Sequence, residues 1–288
     1  MGTVGIVGVG NMGGGMAANL LAQGWTVRVH DIDRAKVDAL AMLGAAACAD
    51  AADAARGAEA LIVCVVDADQ SREVLFGAGG ASGSLAAGGT VMLCPTIAPK
   101  DTEAIAASLS RRGIATIDAP MSGGPARARD GSMSLMVACA ESVFEAHRSL
   151  IEALSRKVFR IGERIGDGAR TKLVNNLLAG INLVGAAEAL ALAQRMGLEL
   201  ETTLDVIAHS SGQSWIGHDR MRRAIEGDYA PRAHMTLLAK DTRLAIEAAR
   251  AVGFDGPLGA TTREVFARAV DAGLAELDDA ALFKLLAS

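Results

Sequence analysis

Residues 3–8 (TVGIVG) form a short apolar run suited to a buried strand, and residues 26–31 (TVRVHD) alternate as a strand ending on an acid. Between them, apolar residues recur at helical spacing over 12–23, and Gly24 supplies a C-terminal cap. Later runs predict helices over 34–43 and 100–110 and strands over 60–66, 90–93 and 114–118. Strands alternating with helices imply βαβ units with right-handed crossovers and a parallel sheet. After about residue 165 the period changes. Helical spacing runs through 167–196, 201–210, 216–226, 234–252, 257–273 and 279–286, with no convincing strand. The glycines of IGERIGDG (161–168) mark the junction. The pattern predicts a doubly wound α/β domain over 1–164 and an all-α domain over 165–288, joined by a long helix.

Composition narrows what such a chain can do. With 288 residues, 51% of them apolar, it is long enough for two domains and too apolar for disorder. A net charge of −5 and only 3% aromatic residues leave no basic stripe or stacking platform, so no nucleic-acid partner is expected. Cys48, Cys64, Cys94 and Cys139 form no C-x-x-C pattern and the five histidines no H-x-x-x-H pair, so neither a metal site nor a redox pair is expected. Reduced thiols suit a cytosolic protein. The first positive charge is Arg28, which argues against a signal peptide. Residues 173–193 are the most membrane-like, but Asn175, Asn176, Asn182 and Glu188 interrupt them. The expectation is a long helix buried in a soluble, cytoplasmic protein with no membrane partner.

Chemistry enters at Gly8-Val9-Gly10-Asn11-Met12-Gly13, a G-x-G-x-x-G between a predicted strand and helix. Gly8 permits the tight turn, Gly10 lets backbone approach a pyrophosphate, and Gly13 allows close helix–strand packing. Asp31 follows 23 residues after Gly8, the spacing of an acid that accepts from an adenosine ribose and repels a 2′-phosphate. That favours NAD over NADP, with Arg34 the nearby residue able to accommodate a phosphate. The bland alternative is that Asp31 caps the following helix.

Two further segments are informative. Ser122-Gly123-Gly124, bracketed by Pro120 and Pro125 after the 114–118 strand, offers backbone N–H groups and a hydroxyl to an anion; an ordinary connection between strands fits the same residues. Lys172 lies in an apolar helix with Asn176 one turn on, so both side chains leave one face. Desolvation and a nearby cationic ring would tune such a lysine as a general acid–base, with Asn176 orienting the substrate. A snorkelling lysine with amides bridging helices accounts for the spacing equally well.

Together GIVGVGNMGGGMAANL (5–20), DAPMSGG (118–124), GDGARTKLVNN (166–176) and LLAKDTRLAIEAA (237–249) resemble the β-hydroxyacid dehydrogenases typified by 3-hydroxyisobutyrate dehydrogenase. Within that family, VLFGAGG (74–80), PTIAPKDTEAIA (95–106), SSGQSWIGHDRM (210–221) and GDYAP (227–231) resemble the members that act on L-threonate, a four-carbon sugar acid. The resemblance implies a Rossmann cofactor domain, a long connecting helix, and a helical substrate and oligomerisation domain that builds homodimers or homotetramers. It implies Lys172 as catalytic lysine, Asn176 as its substrate-binding partner, and Ser122, Gly123 and Gly124 as the turn holding the substrate carboxylate. For the cofactor NAD it implies Gly8, Gly10, Asn11, Met12, Gly13 and Asp31, with Val65 and Val66 at the end of the third long strand. Thr96 would lie beside the nicotinamide, and Lys240, next to Asp241, would close over the cofactor.

The chain departs from the family pattern at Pro95, where a small polar residue is common, and at Met121, where Val is commoner. Asp31 stands where NADP-using members usually carry Arg. The expected activity is reversible hydride transfer between nicotinamide and the carbinol carbon of a small anionic hydroxy acid or semialdehyde. The four-carbon sugar acid competes with 3-hydroxyisobutyrate and tartronate semialdehyde, and more remotely with a non-catalytic NAD-binding module. Trp215 is expected either to shape the substrate pocket or to pack in the core. The chain has only six lysines, so a lysine at 172 and 240, where arginine is the common cation, points to a need for a compact, titratable ammonium.

Overall fold

A computed structural model describes residues 2–287. Among these, nine strands form one sheet: β1 (Thr3–Val7), β2 (Thr26–His30), β3 (Ala46–Ala47), β4 (Ala60–Val63), β5 (Thr90–Leu93), β6 (Ala115–Asp118), β7 (Met121–Ser122), β8 (Ser134–Ala138) and β9 (Lys157–Gly162). The order β3-β2-β1-β4-β5-β6 is parallel throughout, as the alternating pattern requires. β4 and β5 are buried at every position because helices cover both faces of the sheet, which is why they read as unbroken apolar runs.

Beyond β6 the strand direction changes. β8 runs antiparallel to β6 and β7, and β9 pairs parallel with β8. The sheet is therefore mixed at this edge rather than parallel throughout. Of the strands here, only β7, two residues long, is too short to show a period in the sequence.

The chain divides into two compact units between Lys172 and Leu173. In the first, helices α1 (Asn11–Ala22), α2 (Arg34–Ala41), α3 (Ala51–Ala55), α4 (Ala68–Phe76), α5 (Pro99–Ser110), α6 (Gly124–Asp130), α7 (Glu141–Ala146) and α8 (Arg148–Leu154) pack on the sheet. Helix starts follow local chemistry: Asp33, Asp50 and Asp67 cap α2, α3 and α4 with their side chains, and Pro99 opens α5. Ile6, Met16, Leu20 and Ile62 lie in the core on one side of the sheet; Leu61, Val63, Leu75 and Ile105 lie in the core on the other.

Helix α9 (Asp167–Arg195) spans 29 residues and carries the chain from one unit into the next. In the second unit its C-terminal half packs with α10 (Leu200–Ala208), α11 (Trp215–Ile225), α12 (Met235–Ala251), α13 (Pro257–Ala269) and α14 (Leu282–Ala287) around Leu183, Leu190, Met221, Met235 and Phe266. Gly180 brings α9 close to α12: a Cβ there would lie 2.6 Å from Cγ2 of Thr242. By length and composition alone α9 could cross a bilayer. Within this chain the helix is covered on one face only. Val174, Leu178 and Leu192 are exposed, as is Met196 just past the helix end, and Val174, Leu178 and Ile181 share one face at helical spacing.

Candidate active site

The glycine loop begins where β1 ends. Gly8 has φ +89°, and a Cβ on it would lie 2.5 Å from the Cys64 carbonyl oxygen; a Cβ on Gly13 would lie 2.0 Å from the Gly8 oxygen. Both glycines are fixed by conformation and close approach. Gly10 is different, because nothing lies within 4 Å of the Cβ it lacks. It N-caps α1, whose first turn has no acidic side chain and no side-chain cap. An open glycine at the positive end of a 12-residue helix suits an incoming pyrophosphate. A cavity of about 470 Å³ opens beside this loop, with Lys36 and Arg129 among its lining residues.

Asp31, just past β2, joins loop and strand. Its Oδ2 accepts from the Val9 N–H at 2.7 Å and its Oδ1 from the Asp33 N–H at 2.9 Å. The helix cap is Asp33, whose side chain accepts from the Ala35 N–H, so Asp31 is not the cap of α2. Arg34 pairs with Asp38 one turn along α2. Cys64 and Cys94 follow β4 and β5, and burial pushes the Cys64 thiol up to about 12 and raises Cys94 as well. The Cys64 thiol is therefore neutral beside a loop shaped for an anion. Strand β4 stops at Val63, three residues short of the expected end, so Val65 and Val66 lie in the following loop; Val65 packs against Gly8 and Val66 is half exposed. Thr96 lies in the loop between β5 and α5.

Ser122 ends β7, and Gly123 and Gly124 have φ +132° and +76°, conformations that favour glycine. The turn leads from a strand into α6 rather than from strand to strand. Lys172 lies in the second turn of α9 and is only 8% exposed. Asn176, one turn further on, is equally buried. Its Nδ2 donates to Asp241 Oδ2 at 2.6 Å, and its Oδ1 accepts from Asn175 Nδ2 at 2.9 Å. The Lys240 ammonium lies 2.9 Å from the other oxygen of Asp241. Trp215 opens α11 and is 52% exposed, which removes core packing as its role.

Two of these groups have no role legible in the sequence alone: Asp241 stands there only as a neighbour of Lys240, and Asn175 as one more polar residue. An acid in an otherwise apolar helix was the available signal for Asp241.

Residues 3–162 match the profile of the NAD-binding domain of 6-phosphogluconate dehydrogenase, and residues 166–286 match that for NAD binding in NADP-dependent 3-hydroxyisobutyrate dehydrogenase. The chain belongs to the β-hydroxyacid dehydrogenase family. This member is 38% identical over 283 residues to an L-threonate dehydrogenase of Escherichia coli O6:H1, covering 98% of this chain and 94% of that one. It is 35% identical to a 3-hydroxyisobutyrate dehydrogenase of Pseudomonas aeruginosa, covering 91% and 90%. The crystal structure of a 3-hydroxyisobutyrate dehydrogenase from Salmonella typhimurium superposes with a TM-score of 0.93 at 36% identity, covering 99% of this chain and all of that one. The β-hydroxyacid dehydrogenase described here is accordingly an NAD-dependent oxidoreductase of small hydroxy acids.

Proposed function

We propose that this dehydrogenase oxidises a four-carbon sugar acid, L-threonate, with NAD, using residues 1–164 for the cofactor and 165–288 for substrate and assembly. The bound nicotinamide supplies the hydride acceptor. Gly10, Asn11, Met12 and the start of α1 hold the pyrophosphate, Gly8 and Gly13 shape the loop, and Asp31 accepts from the adenosine ribose. Val65, Val66 and Thr96 line the nicotinamide end, and Lys240 closes over the cofactor.

Ser122 and the N–H groups of Gly123 and Gly124 take the substrate carboxylate, which fixes the carbinol carbon in one orientation. Lys172 takes the hydroxyl proton during oxidation and returns it during reduction. Asn176 steadies that hydroxyl: with one amide N–H donated to Asp241 and its oxygen engaged by Asn175, one N–H remains in a fixed direction.

The observation that carries the chemistry is the burial of Lys172 one helical turn from an amide braced on both sides. The substrate reading is supported by the 38% identity to an L-threonate dehydrogenase over nearly the whole chain and by half-exposed Trp215 beside the SSGQS segment. Its test is a panel of L-threonate, 3-hydroxyisobutyrate, L-serine and, in reverse, tartronate semialdehyde, read as nicotinamide absorbance. L-threonate is expected to give a kcat/KM at least about tenfold above the rest, the discrimination a pocket differing in one hydroxyl or methylene provides. A higher value for any other compound would replace it as the substrate. No turnover of any hydroxy acid, with NAD bound, would favour the non-catalytic module.

A further inference from the structure

Asp118 has no part in the chemistry above, yet it is almost completely buried at the end of β6, 1% exposed. Its Oδ2 accepts from the backbone N–H of Gly166 at 2.9 Å and of Ala169 at 3.2 Å. The first donor immediately precedes α9 and the second lies in its first turn. Helix starts carry N–H groups with no partner inside the helix, and a carboxylate there satisfies them and meets the positive end of the dipole. Asp118 performs this task across 48 and 51 residues of sequence.

The joint leaves no room for a side chain. A Cβ on Gly168 would lie 2.9 Å from both Cγ and the carbonyl oxygen of Asp118, and 2.8 Å from the carbonyl oxygen of Met136 in β8. Burial pushes Asp118 up to about 6, opposed by the N–H groups of Ala169, Gly166 and Gly168. At neutral pH it is ionised, so these hydrogen bonds are charge-assisted. Arg170, one residue beyond the joint, pairs with Asp167 and with Glu103 of α5, which adds a peripheral brace to the same helix start.

The two segments locked here carry different parts of the proposed site. Ser122 lies four residues after Asp118, through Pro120, and Lys172 lies three residues after Ala169 within a continuous helix. We infer that Asp118 is a positioning residue: by anchoring the first turn of α9 to the end of β6, it holds Lys172 in register with the Ser122–Gly123–Gly124 turn. The inference rests on the reading of Lys172 as the acid–base group. An ordinary helix cap would contribute stability alone, whereas a positioning residue also sets kcat.

The test compares Asp118→Ala, Asp118→Asn, Lys172→Ala and the double variant Asp118→Ala/Lys172→Ala in the full-length enzyme, recording kcat, KM and the Kd of NAD. A displacement of about 1 Å at the reacting group costs about 100-fold, so Asp118→Ala is expected to lose about that in kcat with NAD affinity unchanged within about threefold. Asp118→Asn keeps an acceptor oxygen but not its charge, and is expected to lose about tenfold. The double variant should be no slower than Lys172→Ala, because residues acting as one unit are not additive.

Wild-type kcat in Asp118→Ala or Asp118→Asn, with Lys172→Ala inactive, overturns the inference and leaves Lys172 in its role. Wild-type kcat in Lys172→Ala overturns the reading of Lys172 and the inference with it. If Asp118→Ala fails to bind NAD because it does not fold, Asp118→Asn decides alone: a kcat near one tenth supports the inference, and an unchanged kcat refutes it.

Discussion

Single residues in this site are defined by what fills their remaining valences. Asp31 spends one lone pair of each oxygen on a backbone N–H, from Val9 and from Asp33, so the carboxylate is held still beside the glycine loop. Each oxygen keeps a lone pair for a ribose hydroxyl. A 2′-phosphate in the same place meets a fixed negative charge, at a cost of about 4 kcal/mol per unit charge at 4 Å and an effective dielectric of 20. Screening reduces that figure, and a kcat/KM for NAD about 100-fold above that for NADP is the expected result. Asp31→Asn retains acceptors without charge and should narrow the ratio at least about tenfold. A wild-type enzyme that prefers NADP would refute this account of Asp31.

Part of this was legible in the sequence, for physical reasons. The spacing from Gly8 to Asp31 is a local property of one βαβ unit, so it survives translation into structure. Asn176 was legible as a partner of Lys172 because a helical turn relates them. Its brace, Asp241, lies 65 residues away and belongs to another helix, so no spacing announces it. Asp118 is the same case: its donors are 48 and 51 residues distant.

At the scale of elements, α9 is covered on one face only. Its apolar sequence suggests burial in protein, but helix spacing cannot tell a face packed in its own unit from one that awaits another surface. Leu183, Val184, Ala187 and Leu190 are buried in the second unit, while Val174, Leu178 and Leu192 are not. We propose that a second copy of this chain covers this exposed apolar face, as in the homodimer or homotetramer that the family resemblance implies. Wild-type protein should sediment as a dimer or tetramer at micromolar concentration, and Leu178→Asp should shift it to monomer. A monomeric wild type, or an unchanged assembly in Leu178→Asp, would remove α9 from the interface. The pairing around β7 and β8 was illegible for another reason: β7 (Met121–Ser122) is two residues long, and Asp118↔Ala138 is a single pair between β6 and β8. Direction of pairing there is set by tertiary contacts rather than by period.

At the scale of the whole molecule, the first unit contains the glycine loop, the Ser122 turn and Lys172; the second contains Asn176, Trp215, Lys240 and Asp241. Helix α9 runs through both, with Lys172 and Asn176 one turn apart along it. The scarcity of lysine gains meaning in this frame. Two of six lysines, Lys172 and Lys240, lie within helices, Lys172 buried one turn from Asn176 and Lys240 paired with Asp241.

The central claim is that a hydroxyl proton passes through Lys172. Its most direct test is the turnover of Lys172→Ala with saturating NAD and the best hydroxy acid of the panel, alongside the Kd of NAD. Removal of a general acid–base costs typically 10²–10⁴-fold. The account predicts a kcat lowered about 1,000-fold with NAD affinity unchanged within about threefold; a kcat equal to that of the wild type would contradict it.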